Sequence, residues 1–234
     1  GAVVVKPVIL CDDDGSHPAR HALPKVLVDQ VYTRGDLEFL YVEPEHWHHG
    51  VARRGEVSLD TIVQDGHANG KIARDPRVVT LLFVSAVNGI ERPLGRGLQG
   101  GNICFVNLGK ADKMRDPAER AFVVAHEVGH CLGMIHAIDD PKVPNDVPNL
   151  QGDGAFADRL AVDGLHPSQV ETLNRSPLVL PRLHFHSSAE TAQLVCEDAW
   201  DLPLESLTPD NLRFELGLPP ATVLPEDTGE RIEM

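Results

Sequence analysis

The chain lacks a long hydrophobic run, an excess of basic residues and closely spaced cysteine pairs. No apolar stretch in its 234 residues approaches the roughly 18 residues that cross a bilayer, so we expect no membrane span. Its 21 Lys and Arg against 35 Asp and Glu give a formal net charge of −14. Because this charge repels phosphate backbones, nucleic acid is not an expected partner. The absence of a Cys-x-x-Cys pair excludes a zinc ribbon and a thioredoxin-type motif.

The composition that remains, 42% apolar and 24% charged residues, is typical of a globular protein. The length favours one elaborated domain with an appendage, which we place at 1–182 and 183–234. Frequent prolines break the second segment into short pieces, and its end is acidic. An even number of cysteines allows two disulfides without requiring them, so the state of the thiols stays open. They are Cys11, Cys104, Cys131 and Cys196.

Hydrophobic patterning predicts an alternation of strands and helices in the first 110 residues. The predicted strands are Val3–Leu10, Leu37–Val42, Val78–Val87 and Asn102–Leu108. Leu23, Leu27 and Val31 recur at a helical interval that ends before Gly35. The polar stretch 45–77 predicts no more than a short helix near Ser58–Val63. The glycine-rich run 95–101 predicts a flexible loop beside a strand.

Three helices are predicted in the second half of the chain. Asp116, Pro117 and Glu119 have the form of a helix start, and the helix should run to about Leu132. A short helix follows Pro167, and another is expected near 189–198. The stretch 137–165 has little periodicity and predicts a loop.

The chemically informative stretch is His-Glu-Val-Gly-His-Cys-Leu-Gly-Met-Ile-His, residues 126–136. On a helix, positions i and i+4 share one face, so His126 and His130 can offer two imidazole nitrogens to one metal ion. Glu127 is placed one step round the helix, where a carboxylate can reach a water on that ion without being a ligand. Gly133 can adopt φ > 0, which would end the helix and return the chain. That reversal would bring His136 to the ion as third ligand.

Three neutral imidazoles leave one tetrahedral position of Zn²⁺ for water, which is the pattern of one catalytic zinc ion rather than of a structural site. Glu127 would then act as general base and afterwards as general acid in hydrolysis of a peptide bond. The six aspartates between 139 and 163 lack the spacing of a known calcium loop, so calcium is not the favoured ion. They are Asp139, Asp140, Asp146, Asp153, Asp158 and Asp163.

At these residues the sequence resembles the metzincin clan of zinc endopeptidases, whose extended motif is His-Glu-x-x-His-x-x-Gly-x-x-His. The resemblance covers roughly residues 1–180. It implies an α+β, zincin-like catalytic domain with a mixed twisted sheet and an active-site helix, followed by the C-terminal extension. It also implies that Asn102–Leu108 is the antiparallel edge strand at the rim of the cleft. The rim residues would be Asn102, Ile103, Cys104 and Phe105. An extended polypeptide substrate would pair with that strand.

The sequence departs from the clan in two respects. The clan has a methionine under the metal in a downstream turn, whereas Asn149-Leu150-Gln151 stands where Asn-Leu-Met would be expected, so Gln151 is the candidate for the floor of the site. Ala137 follows the third histidine and matches the usual residue of no named subfamily. Asp139 could orient a ligand histidine from behind, although a solvated loop aspartate is the more common situation.

Two alternatives to an endopeptidase stay open. A zinc amidase acting on a non-protein amide would need a closed pocket, and a catalytically silent zincin-like binding protein would be consistent with the missing methionine. Retention of Glu127 argues against the silent protein, because a structural zinc site has no use for that carboxylate. The resemblance further implies a monomer that is secreted or periplasmic.

Overall fold

A computed structural model describes residues 1–21, 23, 25–86, 95–108, 117–144, 149–152, 164–180, 183–188 and 191–196. The strands are β1 (Ala2–Cys11), β2 (Glu38–Tyr41), β3 (Glu45–His48), β4 (Val78–Phe83), β5 (Gly95–Gly97), β6 (Ile103–Val106), β7 (Leu183–Ser188) and β8 (Thr191–Cys196). The helices are α1 (Lys25–Val31), α2 (Gly50–Arg53), α3 (Leu59–Ala68), α4 (Pro117–Cys131) and α5 (Pro167–Leu173), and a 3-10 turn covers Thr33–Gly35. None of the described helices is long and apolar enough to cross a membrane.

One sheet organises the fold, with the strand order β2-β1-β4-β6-β5 and with β3 pairing β1 beyond the end of β2. All pairings are parallel except that of β5, which runs antiparallel to β6. The predicted mixed sheet in a mixed α/β fold is therefore confirmed. Every residue of β1 and β4 is buried, as expected for central strands that are covered on both faces.

The two faces of the sheet bury separate hydrophobic cores. Val3, Val5 and Ile9 of β1 belong to the core that α1 and α4 share, whereas Val8 and Leu10 belong to the core that includes α3. This division follows from the two-residue alternation of a strand. Ten of the fifteen residues of α4 are buried, and that burial fixes the position of the helix that carries the histidine motif.

The prediction that Asn102–Leu108 is the edge strand of the sheet is wrong. Ile103–Val106 pairs with β4 on one side and with β5 on the other, so β6 is an interior strand and all four of its residues are buried. The last strand in the sheet order is β5 instead. A run of apolar residues does not encode which neighbours a strand acquires, and the glycine-rich segment before β6 folds back to cover its free edge.

Other elements also differ from the predicted ones. The polar stretch after Pro44 contains strand β3, which the sequence prediction missed, and the helix expected near Ser58 extends over Leu59–Ala68. Ser58 caps that helix by accepting a hydrogen bond from the Thr61 N–H. The regular strand predicted to reach Val87 ends at Phe83.

The helix predicted near 189–198 is wrong over Thr191–Cys196, which forms strand β8 and pairs antiparallel with β7. Thr191 and Val195 are β-branched and suit an extended chain. The rest of the predicted extension, 197–234, lies outside the described residues, as does Asp116, the predicted helix cap. The boundary at 182/183 stays a prediction.

Candidate metal centre

Helix α4 and the turn after it bring the three motif histidines together. The Nε2 atom of His136 lies 3.3 Å from Nε2 of His126 and 3.2 Å from Nε2 of His130. Zinc–imidazole bonds of about 2.0–2.1 Å at tetrahedral angles place ligand nitrogens about 3.3 Å apart. The two distances from His136 match this value, and the ligand atoms of all three histidines lie within 4.8 Å of one another, so the cluster can hold one zinc ion. No other group of three candidate ligands occurs among the described residues.

Hydrogen bonds at the other ring nitrogens fix the tautomers of two histidines. Nδ1 of His126 lies 2.9 Å from the carbonyl oxygen of Leu150, and Nδ1 of His130 lies 2.9 Å from that of Met134. A carbonyl oxygen only accepts, so both Nδ1 atoms carry the hydrogen and both neutral rings present an Nε2 lone pair to the cluster. Burial lowers the pKa of His130, which favours this neutral, ligating form. Both lone pairs are directed toward the Nε2 atom of His136.

The turn after α4 depends on Gly133, which has φ +100. The N–H groups of Gly133 and Met134 bond back to the carbonyl oxygens of His130 and Gly129, each at 3.0 Å. This closes the helix and returns the chain toward the face that carries His126 and His130. His136 follows the turn and is exposed, whereas the other two histidines are half-buried.

Glu127 lies outside the histidine cluster and is only 7% exposed. Burial raises the pKa of its carboxyl to about 8, although a hydrogen bond from the backbone N–H of Gly97 opposes the rise. A carboxyl that titrates near neutral pH can both take up and release a proton, which is the requirement for a general base that later acts as an acid. The same surroundings exclude bulk water from most of the side chain.

Strand β5 covers Glu127, and its glycines make that contact possible. A Cβ at Gly95 would lie 2.5 Å from Cγ of Glu127, and a Cβ at Gly97 would lie 2.3 Å from the Glu127 carbonyl oxygen and 2.6 Å from Cβ of His130. The glycine-rich pattern predicts a flexible loop here, whereas the glycines form a strand that packs on Glu127. Their alternation around Arg96 was the available signal, because residues i and i+2 of a strand face the same side.

Gln151 is buried beneath the motif, with 1% of its surface exposed. Its Nε2 donates to the carbonyl oxygen of His126 at 2.9 Å. Gly129 makes room for this amide, since a Cβ there would lie 2.5 Å from Nε2 of Gln151. The residue predicted as the floor of the site therefore lies against the helix, but it contacts the helix through a polar group.

Asp139 is exposed, and its backbone N–H donates to the carbonyl oxygen of His136 at 2.9 Å. Across the described part of the chain, no hydrogen bond joins the Asp139 carboxylate to a motif histidine. The suggested orienting role is therefore without a contact to support it. Of the six aspartates considered for calcium, Asp146, Asp153, Asp158 and Asp163 lie outside the described residues.

The interior strand β6 contacts α4 through two cysteines. Cys104 is in hydrogen-bond contact with Cys131, and this contact together with burial raises the pKa of the Cys104 thiol well above its ordinary value. Cys131 also donates to the carbonyl oxygen of Ile103 at 3.3 Å. Cys104 and Cys131, like Cys11, are free and buried. Of the residues predicted as the substrate rim, Cys104 packs in the core that contains α4, whereas Ile103 and Phe105 lie in the core on the opposite face of the sheet.

No protein-family model and no curated protein matches the chain. Among solved structures, the archaemetzincin from Archaeoglobus fulgidus, complexed with malonate, covers 74% of this chain and 99% of its own at 13% identity and a TM-score of 0.42. The archaemetzincin from Methanopyrus kandleri covers 75% and 95% at 16% identity, with a TM-score of 0.45. A zinc-dependent peptidase from Methanocorpusculum labreanum covers 73% and 100% at 10% identity, with a TM-score of 0.47. Similarity at this level is too low to assign a function, which has to rest on the geometry of the site.

Proposed function

We propose that the chain is a zinc-dependent endopeptidase. The observation that carries the proposal is the position of the His136 Nε2 atom, 3.2–3.3 Å from the Nε2 atoms of His126 and His130, two rings whose Nδ1 hydrogens are held by carbonyl oxygens. The donor set is three neutral imidazoles, which suits zinc and leaves a coordination position open. His126, His130 and His136 would hold the ion.

The protein's own contribution to the reaction is centred on Glu127. When bound, zinc would supply Lewis acidity, which makes water more acidic and polarises a carbonyl oxygen. The Glu127 carboxylate would take a proton from the attacking water and pass it to the leaving amine. Burial raises the pKa of this carboxyl to about 8, so its affinity for a proton near neutral pH is higher than that of an exposed glutamate. The Gly97 N–H holds the carboxylate in place during both transfers.

An extended polypeptide is the proposed substrate. Strand β5 is the last strand in the sheet order and lies against α4 beside Glu127. A peptide that pairs with the outer edge of β5 would use backbone hydrogen bonds for affinity and would pass close to the catalytic carboxylate. This assignment moves the proposed rim from β6 to β5.

One observation favours a second candidate, a zinc-binding protein without catalysis. Glu127 is almost fully covered by β5, and such cover restricts the access of a substrate to the carboxylate. The two functions share the zinc site and differ in whether bound zinc leads to cleavage.

The test is elemental analysis of the purified full chain together with a fluorescent casein assay. We expect about one zinc per chain, cleavage that a chelator abolishes, and recovery when zinc but not magnesium is returned. One zinc without cleavage of casein or of a mixed peptide library would support the non-catalytic protein. No stoichiometric metal, even after zinc is supplied, would overturn the site.

A further inference from the structure

Gln151 connects the two parts of the chain that carry the metal ligands. Its side-chain Nε2 donates to the carbonyl oxygen of His126 on α4, at 2.9 Å. Its backbone oxygen accepts the N–H of Ala137, the residue after His136, at 3.0 Å. Gln151 therefore bonds both to His126, the first ligand, and to Ala137, which follows the third ligand His136.

The segment around Gln151 also fixes the ring of the same histidine. The carbonyl oxygen of Leu150 accepts the Nδ1 hydrogen of His126, so adjacent residues hold the backbone and the side chain of one ligand. The side chain of Asn149 accepts the Gln151 N–H at 3.0 Å and is itself within 3.4 Å of Nε2 of Gln169 on α5. The hydrogen bonds of the buried residues Asn149 and Gln169 therefore also fix the position of Gln151.

The hydrogen bonds that the Gln151 amide makes and lacks distinguish a role in stabilising the fold from a role in positioning the ligands. Its Oε1 atom is buried and has no hydrogen-bond partner among the described residues, which disfavours the folded state. The His126 carbonyl oxygen already accepts a bond within α4, so it does not need the Gln151 donor for its own satisfaction. A methionine would fill the same space without burying an unpartnered oxygen. The amide is therefore poorly explained by stability alone.

We propose that Gln151 is a positioning residue that sets the distance between His126 and His136 and thereby the affinity for the metal. It acts through hydrogen bonds to both sides of the cluster rather than as an apolar floor. Residues that orient metal ligands typically change metal affinity by 10–100-fold when they are replaced. This inference rests on the proposed function, because it concerns the ligands of the proposed zinc ion.

The decisive variant is Gln151→Met, which keeps the length of the side chain and removes its donor. The dissociation constant for zinc, measured by competition with a chromophoric chelator, should rise by about 10–100-fold. The unfolding temperature of the metal-free variant should be unchanged or higher, because the unpartnered oxygen has been removed. The visible spectrum of the Co²⁺-loaded variant should also change, since it reports the geometry of the ligands.

Thr80→Val is the matched control. Oγ1 of Thr80 on β4 accepts the Ala73 N–H at 3.0 Å, so this variant also removes one buried bond between a side chain and the backbone. The Thr80 side chain lies on the face of the sheet opposite to α4, because its neighbours Val79 and Leu81 belong to the core that contains α4. Thr80→Val should lower the unfolding temperature and leave zinc affinity unchanged. If Gln151→Met does not fold, Gln151→Leu removes the same donor with a shorter apolar side chain, and the same rise in the dissociation constant for zinc is expected.

Wild-type zinc affinity in Gln151→Met would overturn the inference while the proposed function stands. An equal loss of affinity in Thr80→Val would overturn it too, since any buried hydrogen bond would then have the same effect. A wild-type chain that binds no zinc would overturn the proposed function and this inference with it.

Discussion

Gly95 on the edge strand lies directly against Glu127 on the motif helix, so close that a Cβ at position 95 would be 2.5–2.7 Å from three atoms of the carboxylate side chain. Such distances are far inside van der Waals contact. The strand can approach the helix only because position 95 has no side chain. The same approach lets the Gly97 N–H reach the Glu127 carboxylate.

Gly95→Ala should therefore displace Glu127. Because a misplacement of about 1 Å can cost about 100-fold in rate, we expect kcat to fall by that order while zinc content stays at the wild-type level. Arg96→Ala on the same strand is the control, since Arg96 is exposed and its replacement leaves the contact with Glu127 intact. Steady-state kinetics and metal analysis of both variants decide the matter. An alanine at 95 with wild-type kcat would show that Glu127 does not need its present position.

Glu127→Gln should keep zinc and lose the reaction. The amide fills the same space but cannot take up a proton, and loss of a general base typically costs about 10²–10⁴-fold in rate. The measurement is kcat/KM on a fluorescent peptide, with zinc determined on the same sample. Unchanged hydrolysis in a zinc-loaded variant would remove Glu127 from the mechanism.

His130→Ala should lose stoichiometric zinc, because two imidazoles remain where three are needed for a catalytic site. His49→Ala provides a comparison outside the cluster. Nε2 of His49 lies 3.2 Å from a carboxylate oxygen of Asp65 and takes no part in the histidine group. After dialysis, the first variant should contain no bound zinc and show no cleavage, and the second should match the wild type in both. Zinc retained in His130→Ala would contradict the ligand assignment.

Glu45 gives the chain a specific sensitivity to acid. Its two carboxylate oxygens lie 3.1 Å from Nζ of the buried Lys6 and 3.2 Å from Nζ of Lys71. Burial by itself raises the pKa of Glu45, but the hydrogen bonds and charges of the two lysines outweigh it and hold the pKa below its ordinary value. A carboxyl whose pKa is lower in the folded state stabilises the fold above its unfolded pKa of about 4.5, and this contribution is lost as the pH falls through the lowered pKa.

Glu45→Gln should consequently reduce the free energy of unfolding at pH 7 by about 1.5–3 kcal/mol, the range for hydrogen bonds to charged groups. The difference from the wild type should begin to shrink below about pH 4.5, the pKa of the unfolded state, and should be smallest once the pH has passed the lowered pKa of the folded state. Urea unfolding across pH 3–7 measures this. The exposed Glu43 supplies a control, Glu43→Gln, which should differ little from the wild type at any pH in the range. A pH-independent effect at Glu45 would refute the ion-pair explanation.

Prediction from sequence succeeded where the signal was local. The start of α4 at Pro117 and its end near Cys131 followed from a proline at the first turn and from the position of Gly133. The i, i+4 spacing put His126 and His130 on one face whatever the rest of the chain does. Prediction failed for Thr191–Cys196, where a weak helical pattern gave way to pairing with a neighbouring strand.

In the metal site, too, the local features were predictable from sequence and the contacts between distant segments were not. The sequence by itself determined which side chains could bind a metal, because the spacing of the three histidines and the glycine before the last of them act within eleven residues. Only the tertiary structure decided that β5 rather than β6 is the final strand, that Gly95 lies on Glu127, and that Gln151 bonds to His126. The last two contacts join residues more than twenty positions apart. Their formation depends on the order of strands in the sheet and on how the two faces of α4 are buried, and no short stretch of sequence encodes either.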